Sequence, residues 1–384
     1  MKVLHVCISG PFTEGLSYQE NELVEQHVAL GHEVTVMAAT DTYGPNLQVM
    51  HTEAGRFTLK SGATLIRIPY AWGLRGWLAT KIRAHCGLRD FLAIVQPDRI
   101  LFHGLTAWDL LTVTKYAQCN PHVKLFADSH EDWNNSARTI LSKWILHYGF
   151  YRPILRRCLP TIKKVLCVSL ETIEFVRDFY GVPETQIEFF PLGGLLWDDD
   201  AYLATRAKTR ATEGWSSKHR IFLQSGKIDR AKRLIETLQS FAKVEGSNLR
   251  LVITGQVMSD VQEEAHALIH ADPRVQLLGW VDPKRLRALL SAADVYVQPG
   301  SQSATMQMAL CCRCPVVLAD VPSHHAFIEG NGLLVQTSEQ LGIALVTLAE
   351  LADEKLSEMS QRSASLAARI LDYRQQALRV LESA

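Results

Sequence analysis

The chain has 384 residues, more than a single hydrophobic core usually supports, so we expect two domains. Apolar residues form 47% of it and charged residues 21%, proportions typical of a globular protein with ample core material. Lysine plus arginine equals aspartate plus glutamate, at 40 each. Because no overall charge attracts the chain to a polyanion, we expect no nucleic-acid partner.

The opening sequence and the cysteines indicate a cytoplasmic protein. The first residues, MKVLHVCISG, predict a short buried strand and not a signal peptide. No apolar run reaches the ~20 residues that a membrane-spanning helix needs. The eight cysteines lack the paired spacing of a metal site or a disulfide framework, so we expect reduced and mostly buried thiols. Cys311, Cys312 and Cys314 cluster, but no histidine follows at ligand spacing, so a metal there is disfavoured.

Short apolar segments alternate with helix-length segments through the first half of the chain. Strands are predicted at 3–8, 33–38, 64–68, 100–102, 124–127 and 165–168, and an amphipathic helix at 18–30. Strands that alternate with helices in this way favour a parallel sheet that is covered on both faces.

The second half repeats this alternation after a polar, charged stretch that follows Pro191-Leu192-Gly193-Gly194. Its strands are predicted at 221–225, 249–254, 275–278, 294–298 and 315–318. The predicted fold is therefore α/β, with two Rossmann-like, doubly wound domains at 1–200 and 201–384 that face each other across a ligand-binding cleft. Residues 339–382 are predicted to be helical, and the last helix is a candidate to pack back on the first domain.

One segment of the second half predicts an anion site. Residues 223–233, LQSGKIDRAKR, form a strand that ends at Ser225-Gly226 and leads into a helix. Lys227 and Lys232 lie in the loop and first turn, where side chains and helix amides converge on a bound anion. The segment suits a diphosphate, although a solvated charged turn is an alternative interpretation.

The blocks that follow resemble the nucleotide-binding half of the retaining glycosyltransferases of the GT-B fold, family four in particular. They are a strand ending at Gly255 (LRLVITG), LGWV with Trp280 and Val281, ADVYVQP, CPVV and NGLLV. The resemblance implies that Gly226, Lys227, Lys232 and Gly255 bind the nucleotide, and that Trp280 and Val281 lie beside its base.

The first half carries weaker signals of the same family. The loop GPFTEG, followed later by LGHEVTV, is similar to the family's opening strand, glycine loop and helix, and implies acceptor binding by Gly10, Glu14 and Gly15. PDRILFHG places His103 at a strand end, as a second acceptor-binding candidate. DSHEDWNNS places His130 at the family's histidine segment and implies a catalytic role, although helix capping by His130 is an alternative.

The chain departs from the family at two acidic positions. The family has two glutamates eight residues apart, the first for the sugar hydroxyls and the second for the ribose. Here Gly300 and Met308 stand at those places. Neutral groups nearby can bond hydroxyls or phosphate oxygens, and a helix starting near Ala304 would offer free amides. These substitute donor-site candidates are Gln302, Ser303, Ala304, Thr305 and Gln307.

Two charged segments have simpler interpretations beside functional ones. Asp198, Asp199 and Asp200 are similar to metal-binding aspartates of another glycosyltransferase fold, but a solvated acidic hinge is favoured because they lie in the interdomain link.

Residues 134–164 contain seven lysines and arginines, four aromatic residues that include Trp144, and no acidic residue. Such a segment can rest on an anionic membrane, or can simply be an ordinary solvated helix pair.

The resemblance implies sugar transfer from a nucleotide-diphosphate donor to a glycan, lipid-linked or small-molecule acceptor with retention of configuration, in surface polysaccharide or glycoconjugate synthesis. We expect Lys227 and Lys232 to stabilise the departing phosphate without a metal or other cofactor, and His130 to orient the donor sugar. Because the glutamates are missing, a catalytically silent sugar-nucleotide-binding partner subunit stays open, as does an epimerase or hydrolase on the same fold. We expect a cytoplasmic location, with peripheral contact to the inner face of the cell membrane as a further hypothesis.

Overall fold

The two halves of the chain fold into separate compact units, as a computed structural model shows. The structure describes residues 1–16, 18–44, 48–73, 76–301 and 303–382. The N-terminal unit runs from Met1 to Pro191 and includes the last helix of the chain, and the C-terminal unit is Leu192–Asp372. The division lies a few residues before the expected boundary because the helix that begins at Asp199 already belongs to the C-terminal unit, where Asp199 pairs with Arg313 at 2.7 Å.

The N-terminal unit has a central eight-stranded sheet in the order β10-β9-β8-β7-β1-β2-β6-β5. All neighbouring strands are parallel except β5 and β6. Its strands are β1 Lys2–Cys7, β2 Glu33–Ala39, β5 Gly55–Thr58, β6 Thr64–Ile68, β7 Arg99–Phe102, β8 Lys124–Ser129, β9 Ile162–Cys167 and β10 Ile187–Phe189, with β3 Asp41–Tyr43 and β4 Val49–His51 as a separate antiparallel pair.

Helices cover this sheet. They are α1 Gln19–Ala29, α2 Gly76–Ile82, α3 Leu88–Val95, α4 Asp109–Cys119, a π-helix Ser142–Tyr151 that continues into α5 Arg152–Cys158, α6 Leu170–Phe175 and the final helix α15 Tyr373–Glu382. α15 packs against α1 and buries Tyr373, Ala377 and Val380 against sheet residues such as Leu101 and Phe126. The end of the chain is therefore part of the N-terminal core.

The C-terminal unit has six strands, all parallel, in the order β13-β12-β11-β14-β15-β16. They are β11 Arg220–Ile228, β12 Leu249–Val257, β13 Val275–Gly279, β14 Val295–Gln298, β15 Val316–Ala319 and β16 Gly332–Val335. The helices are α7 Asp199–Thr212, α8 Leu234–Phe241, α9 Gln262–Ala271, α10 Pro283–Ala292, α11 Ala304–Cys311, α12 Pro322–His325, α13 Ser338–Glu350 and α14 Asp353–Ile370. The two doubly wound α/β domains predicted from the alternation of strands and helices are thereby confirmed.

Local sequence signals fix several helix starts. Asp282 accepts the backbone N–H groups of Lys284 and Arg285 ahead of α10, and Pro283 occupies its first turn. Thr337 and Gln340 form a reciprocal capping box at α13. Asp198 caps α7 by accepting the Ala201 N–H at 2.7 Å. The predicted helical segment 339–382 is in fact three helices, with breaks after Glu350 and Ile370.

The eight cysteines carry no disulfide. Six are buried as expected, whereas Cys86 and Cys119 are exposed. Within the described parts of the chain, no helix combines the length and apolarity required to cross a bilayer.

Candidate functional site

The order in which successive strands are added to the C-terminal sheet reverses between β11 and β14. From β11 the strands run outward to β12 and β13, and the chain then crosses to β14 and runs outward through β15 and β16. At such a switch point the loops leave the sheet in opposite directions and open a crevice outside the carboxyl ends of the strands. The residues after β11 and β14 therefore form the candidate site of this unit.

Two glycines bring bare backbone to this edge. Gly226 and Gly255 are paired in register on β11 and β12, with φ values of +126° and +119°. A Cβ on Gly255 would lie 1.9 Å from the Gly226 carbonyl oxygen, so only glycine fits there. The structure thus brings these two predicted nucleotide-binding residues together, and no side chain shields the backbone from an approaching phosphate.

The two predicted lysines differ in their surroundings. Lys227 is exposed at the end of β11. Lys232 is half-buried, and its Nζ donates to the Ser301 carbonyl oxygen at 2.8 Å. Burial lowers the pKa of Lys232, while the nearby Asp229 carboxylate acts in the opposite direction. Lys232 therefore connects the loop after β11 to the loop after β14.

The loop after β14 leaves no space for a side chain at position 300. A Cβ on Gly300 would lie 2.1 Å from the Ala231 carbonyl oxygen and 2.9 Å from the Lys232 Cα. The Ser301 N–H donates to that same Ala231 oxygen at 3.0 Å. Position 300 is where the resemblance puts the first glutamate. There the backbone of the turn Arg230–Lys232, which we call the lysine turn, occupies the volume that a side chain would need.

A network of neutral hydrogen bonds lies behind this loop. Tyr296 and Ser303 both donate to the Gln298 Oε1, at 2.8 and 2.7 Å. The Gln298 Nε2 donates to the Ser301 carbonyl at 2.5 Å, and the Ser225 hydroxyl contacts the Tyr296 hydroxyl at 3.1 Å. Gln298 and Tyr296 are buried and were not among the predicted site residues. Their signal in the sequence is a polar residue late in each switch-point strand: Ser225 in the second half of β11 and Gln298 as the last residue of β14.

The first turn of α11 presents only part of the predicted substitute set. The predicted helix start at Ala304 is confirmed; Ala304 is exposed and Thr305 half-buried. Gln307 instead points inward: it is 1% exposed, and its Oε1 has no hydrogen-bond partner among the described residues. Met308, at the place of the second glutamate, is half-buried. Gln302 lies outside the described residues.

Trp280 and Val281 follow β13, two strands away from β11. Trp280 is 75% exposed and Val281 half-buried. The Thr254 hydroxyl donates to the Gly279 carbonyl at 2.9 Å and holds the start of this loop to β12. An exposed indole at this edge offers a flat apolar surface on which a base could stack.

Arg233 is a further residue that the prediction missed. It has a φ of +56° at the start of α8, and its Nη1 donates to the carbonyls of Pro299 and Gln336 at 3.2 and 3.0 Å. The loops after β14 and β16 are thereby clamped to α8. A positive φ at a non-glycine residue costs free energy, so these contacts must offset local strain.

In the N-terminal unit the corresponding switch point lies between β1 and β7. Gly10 is exposed in the loop after β1, and Gly15 has a φ of +81°. Glu14 is exposed and accepts the Lys60 N–H at 2.5 Å. A Cβ on Gly104, just after β7, would lie 2.6 Å from the Ser9 Oγ, so the β1 loop packs closely on the end of β7.

The two predicted histidines of this edge follow β7 and β8. The His103 Nδ1 contacts the Asp128 Oδ2 at 2.5 Å, and the other Asp128 oxygen accepts the Gly104 N–H at 2.8 Å. His130 is exposed, and its carbonyl accepts from Asn135 at 2.8 Å. Both ring nitrogens of His103 have protein partners, whereas His130 is an exposed residue.

A half-buried carboxylate anchors the segment that carries His130. Glu131 accepts hydrogen bonds from Tyr180 at 3.0 Å and from Thr106 at 3.2 Å. Burial raises the pKa of Glu131, and nearby Arg83 with these donors opposes that rise. Among the described residues no group of three or more His, Cys, Asp or Glu side chains has the arrangement of a metal site.

Both halves of the sequence match known families. Residues 15–193 match the family described as Glycosyltransferase Family 4, and residues 219–351 match Glycosyl transferases group 1. None of the curated proteins with which the sequence was compared matches it.

The fold is similar to that of several solved structures over their whole length. Sucrose-phosphate synthase from Thermosynechococcus elongatus is 17% identical, with a TM-score of 0.65 and coverage of 100% of this chain and 98% of that one. HepE of Anabaena in complex with UDP is 14% identical, with a TM-score of 0.67 and coverage of 100% and 99%. WaaG, a glycosyltransferase involved in lipopolysaccharide biosynthesis, is 16% identical, with a TM-score of 0.64 and coverage of 99% and 100%. At these identities the similarity shows the fold alone.

Replacing Gly300 by alanine should destabilise the protein by ~1–3 kcal/mol, because the new methyl group would overlap the backbone of Ala231 and Lys232. The matched control is Gly342→Ala in α13, where a Cβ meets nothing within 4 Å and should stabilise the helix by up to ~1 kcal/mol. Denaturant unfolding of both variants measures the difference. Equal stability of the two variants would contradict the close approach at Gly300.

Proposed function

Since the chain belongs to the glycosyltransferases of the group 1 and family 4 type and has the GT-B fold, we propose that it transfers a sugar from a nucleotide-diphosphate donor that binds at the carboxyl edge of the C-terminal sheet. The acceptor is a glycan, a lipid-linked saccharide or a small molecule, and the pathway makes a surface polysaccharide or a glycoconjugate. The observation that carries this proposal is the lysine turn, where Lys232 meets the loop after β14 beside the bare backbone of Gly226.

The donor phosphates are assigned to this turn on electrostatic grounds. The Ser301 carbonyl is a neutral partner for the Lys232 ammonium, and a phosphate oxygen would be a stronger, charge-assisted one. Lys227 adds a second positive charge near the end of β11, the strand that precedes this turn. UDP, the ligand of the HepE complex, is the first nucleotide to try.

The chemistry we propose is transfer with retention, assisted by the leaving phosphate and without a metal cofactor. Lys227 and Lys232 stabilise the negative charge that grows on the phosphate as the glycosidic bond breaks. His130, exposed beside the anchored Glu131, orients the sugar or shares its hydroxyl protons. Ser303, Thr305 and the first amides of α11 bind hydroxyls where the glutamates are missing.

Replacing Lys227 or Lys232 by alanine should weaken binding of UDP roughly ten- to hundredfold, because each variant loses a charged partner worth ~1.5–3 kcal/mol. Isothermal calorimetry measures the affinity. Lys243→Ala removes an exposed lysine of the same unit and should leave the affinity unchanged. Wild-type affinity in both site variants would refute the phosphate assignment.

A radiolabelled-sugar assay distinguishes transfer from the alternatives. We expect label to pass to an acceptor, and this transfer to continue in excess chelator, because two lysines supply the positive charge that a divalent ion would provide. Turnover of donor without acceptor would indicate a hydrolase or an epimerase. Nucleotide binding without any turnover would indicate a silent binding subunit. Loss of transfer on chelation, restored by magnesium, would refute metal independence.

We further propose that the N-terminal unit rests on an anionic membrane through a basic-aromatic face formed by residues 134–164. The π-helix and the residues before it expose Ile140, Leu141, Trp144 and Ile145, which are between 54% and 82% accessible. Basic groups lie against the aromatic rings: Lys143 Nζ is 4.8 Å from the Trp133 ring centroid, and the Arg152 guanidinium is 4.6 Å from the Tyr148 ring centroid. Apolar side chains flanked by cations match an interface of acyl chains and anionic headgroups.

Replacing Ile145 by glutamate should reduce co-sedimentation with vesicles that contain phosphatidylserine, since it places a negative charge in the apolar contact. Each lysine or arginine near such a surface contributes about 1 kcal/mol, so binding should also weaken as salt rises. Ile343→Glu, at an isoleucine of the C-terminal unit that is 61% exposed, is the control and should bind as the wild type does. Absence of wild-type binding at low salt would show that the face is ordinary solvated surface.

A further inference from the structure

Three histidines and one aspartate form a continuous hydrogen-bonded chain inside the N-terminal unit. The His27 Nε2 contacts the Ala377 carbonyl on α15 at 3.1 Å, and the His27 Nδ1 contacts the His5 Nε2 at 2.9 Å. The His5 Nδ1 contacts the His103 Nε2 at 3.0 Å, and the His103 Nδ1 contacts the Asp128 Oδ2 at 2.5 Å. The chain thus crosses from the packed side of α15 to the carboxyl edge of the sheet, where the acceptor site is predicted.

The fixed ends of this chain determine which ring nitrogens carry protons. The Ala377 carbonyl can only accept, so the His27 Nε2 must donate to it. A neutral imidazole has one N–H, so the His27 Nδ1 accepts from the His5 Nε2, and the His5 Nδ1 in turn accepts from the His103 Nε2. The His103 Nε2 therefore carries a proton whatever its Nδ1 does.

The middle of the chain is neutral because it is buried. His5 and His27 are both 0% exposed. Burial lowers the pKa of His27 to about 4 and that of His5 well below its usual value, and neighbouring histidines lower the pKa of His5 further. Neither ring can hold a second proton near neutral pH, so the direction of the hydrogen bonds is fixed.

The other end of the chain supplies the negative charge. Asp128 accepts the Gly104 N–H on one oxygen and faces the His103 Nδ1 with the other. Burial favours its neutral form, but the His103 contacts prevail and the pKa of Asp128 lies below its usual value. The pKa of His103 lies well above its usual value, although burial opposes this, because the Asp128 carboxylate favours its charged form. An ionised carboxylate accepts only, so the His103 Nδ1 is also protonated.

We propose that His5 and His27 are positioning residues that hold His103 as a doubly protonated imidazolium against the Asp128 carboxylate, so that His103 is a fixed positive charge and not a base. This protonation state follows from the hydrogen-bonded series of His27, His5, His103 and Asp128 and does not depend on any activity of the protein. Its consequence for catalysis rests on the proposed function: His103 cannot take a proton from an acceptor hydroxyl, and its role there is electrostatic.

The chain is not a proton relay. Its inner end is a backbone carbonyl, which accepts a hydrogen bond but does not exchange a proton at neutral pH. The donors from the His103 Nε2 inward point toward α15, whereas the His103 Nδ1 donates in the opposite direction, to Asp128. Other titratable groups face the chain from the sides: Cys7 beside His103, Glu20 near Cys7, His130 near Asp128 and His32 near His27.

Nuclear magnetic resonance of the protein labelled with ¹⁵N-histidine tests the proposal without any substrate. In the wild type both ring nitrogens of His103 should carry protons and stay unchanged between about pH 5.5 and 8.5, a range in which an unperturbed histidine titrates. A His103 ring with a single N–H in this range would overturn the proposal. The exposed His122 lies outside the chain, and His122→Gln serves as the control for assignment.

Two variants test the roles of the partners. His5→Phe removes the acceptor of the His103 Nε2 proton, so the His103 resonances should then titrate within the range. His27→Gln can replace both hydrogen bonds with its amide, so His103 should stay doubly protonated, and this variant keeps the test open if His5→Phe fails to fold. An unchanged His103 in folded His5→Phe would overturn the positioning role.

The pH dependence of kcat/KM connects the chain to activity. His5→Phe should add an ionisation to the profile that the wild type and His122→Gln lack, whereas a purely structural defect would lower the whole profile uniformly. If the protein transfers no sugar, this measurement fails together with the proposed function, but the ring-nitrogen result stands independently.

Discussion

The burial of both faces of each parallel sheet is the constraint on which the rest of the structure depends. Every residue of β14 and β15 is buried, and so is every residue of β1 after Lys2. Side chains that line such strands must be apolar or fully hydrogen-bonded, because an unpaired polar group in this environment is costly. Polar groups that can reach a ligand therefore lie at the strand ends, and the two switch points, β11–β14 and β1–β7, carry the candidate sites. His5, inside β1, is tolerated because both of its ring nitrogens are hydrogen-bonded.

At the two positions where the resemblance places the family's glutamates, the chain has different local shapes. At position 300 the backbone of Ala231 and Lys232 occupies the volume of the missing side chain, so restoring a glutamate there would require the lysine turn to move. Position 308 differs, because Met308 is half-buried on α11 and already carries a side chain about as long as that of glutamate. The two positions are thus not equivalent, because only at position 300 does neighbouring backbone occupy the space of a side chain.

The sequence predicts the two domains and most central strands, since their apolar runs are unambiguous and alternate with helices. It misses β3, β4, β5, β10 and β16, which are three or four residues long and too short to carry a clear apolar pattern. Gln307 was assigned to a ligand from proximity in the sequence, whereas the phase of α11 turns it into the core. His5 and His27 look like isolated histidines in apolar segments. Their connection depends on β1–β7 register and on α15, which lies 350 residues away from His27.

The two sites hold positive charge in different ways, and the difference follows from the partner of each cation. Lys232 is bonded to a carbonyl, so exchanging that neutral partner for a phosphate gains a charge-assisted bond. His103 is bonded to the Asp128 carboxylate. If His103 exchanged this partner for a hydroxyl, Asp128 would be left buried without its cation, at a high free-energy cost. A phosphate would therefore strengthen the bonding of the Lys232 ammonium, whereas the imidazolium is retained by its own domain. In the proposed reaction, the Lys232 arrangement suits a cation that binds the leaving phosphate. The His103 arrangement suits a fixed positive charge beside an uncharged acceptor.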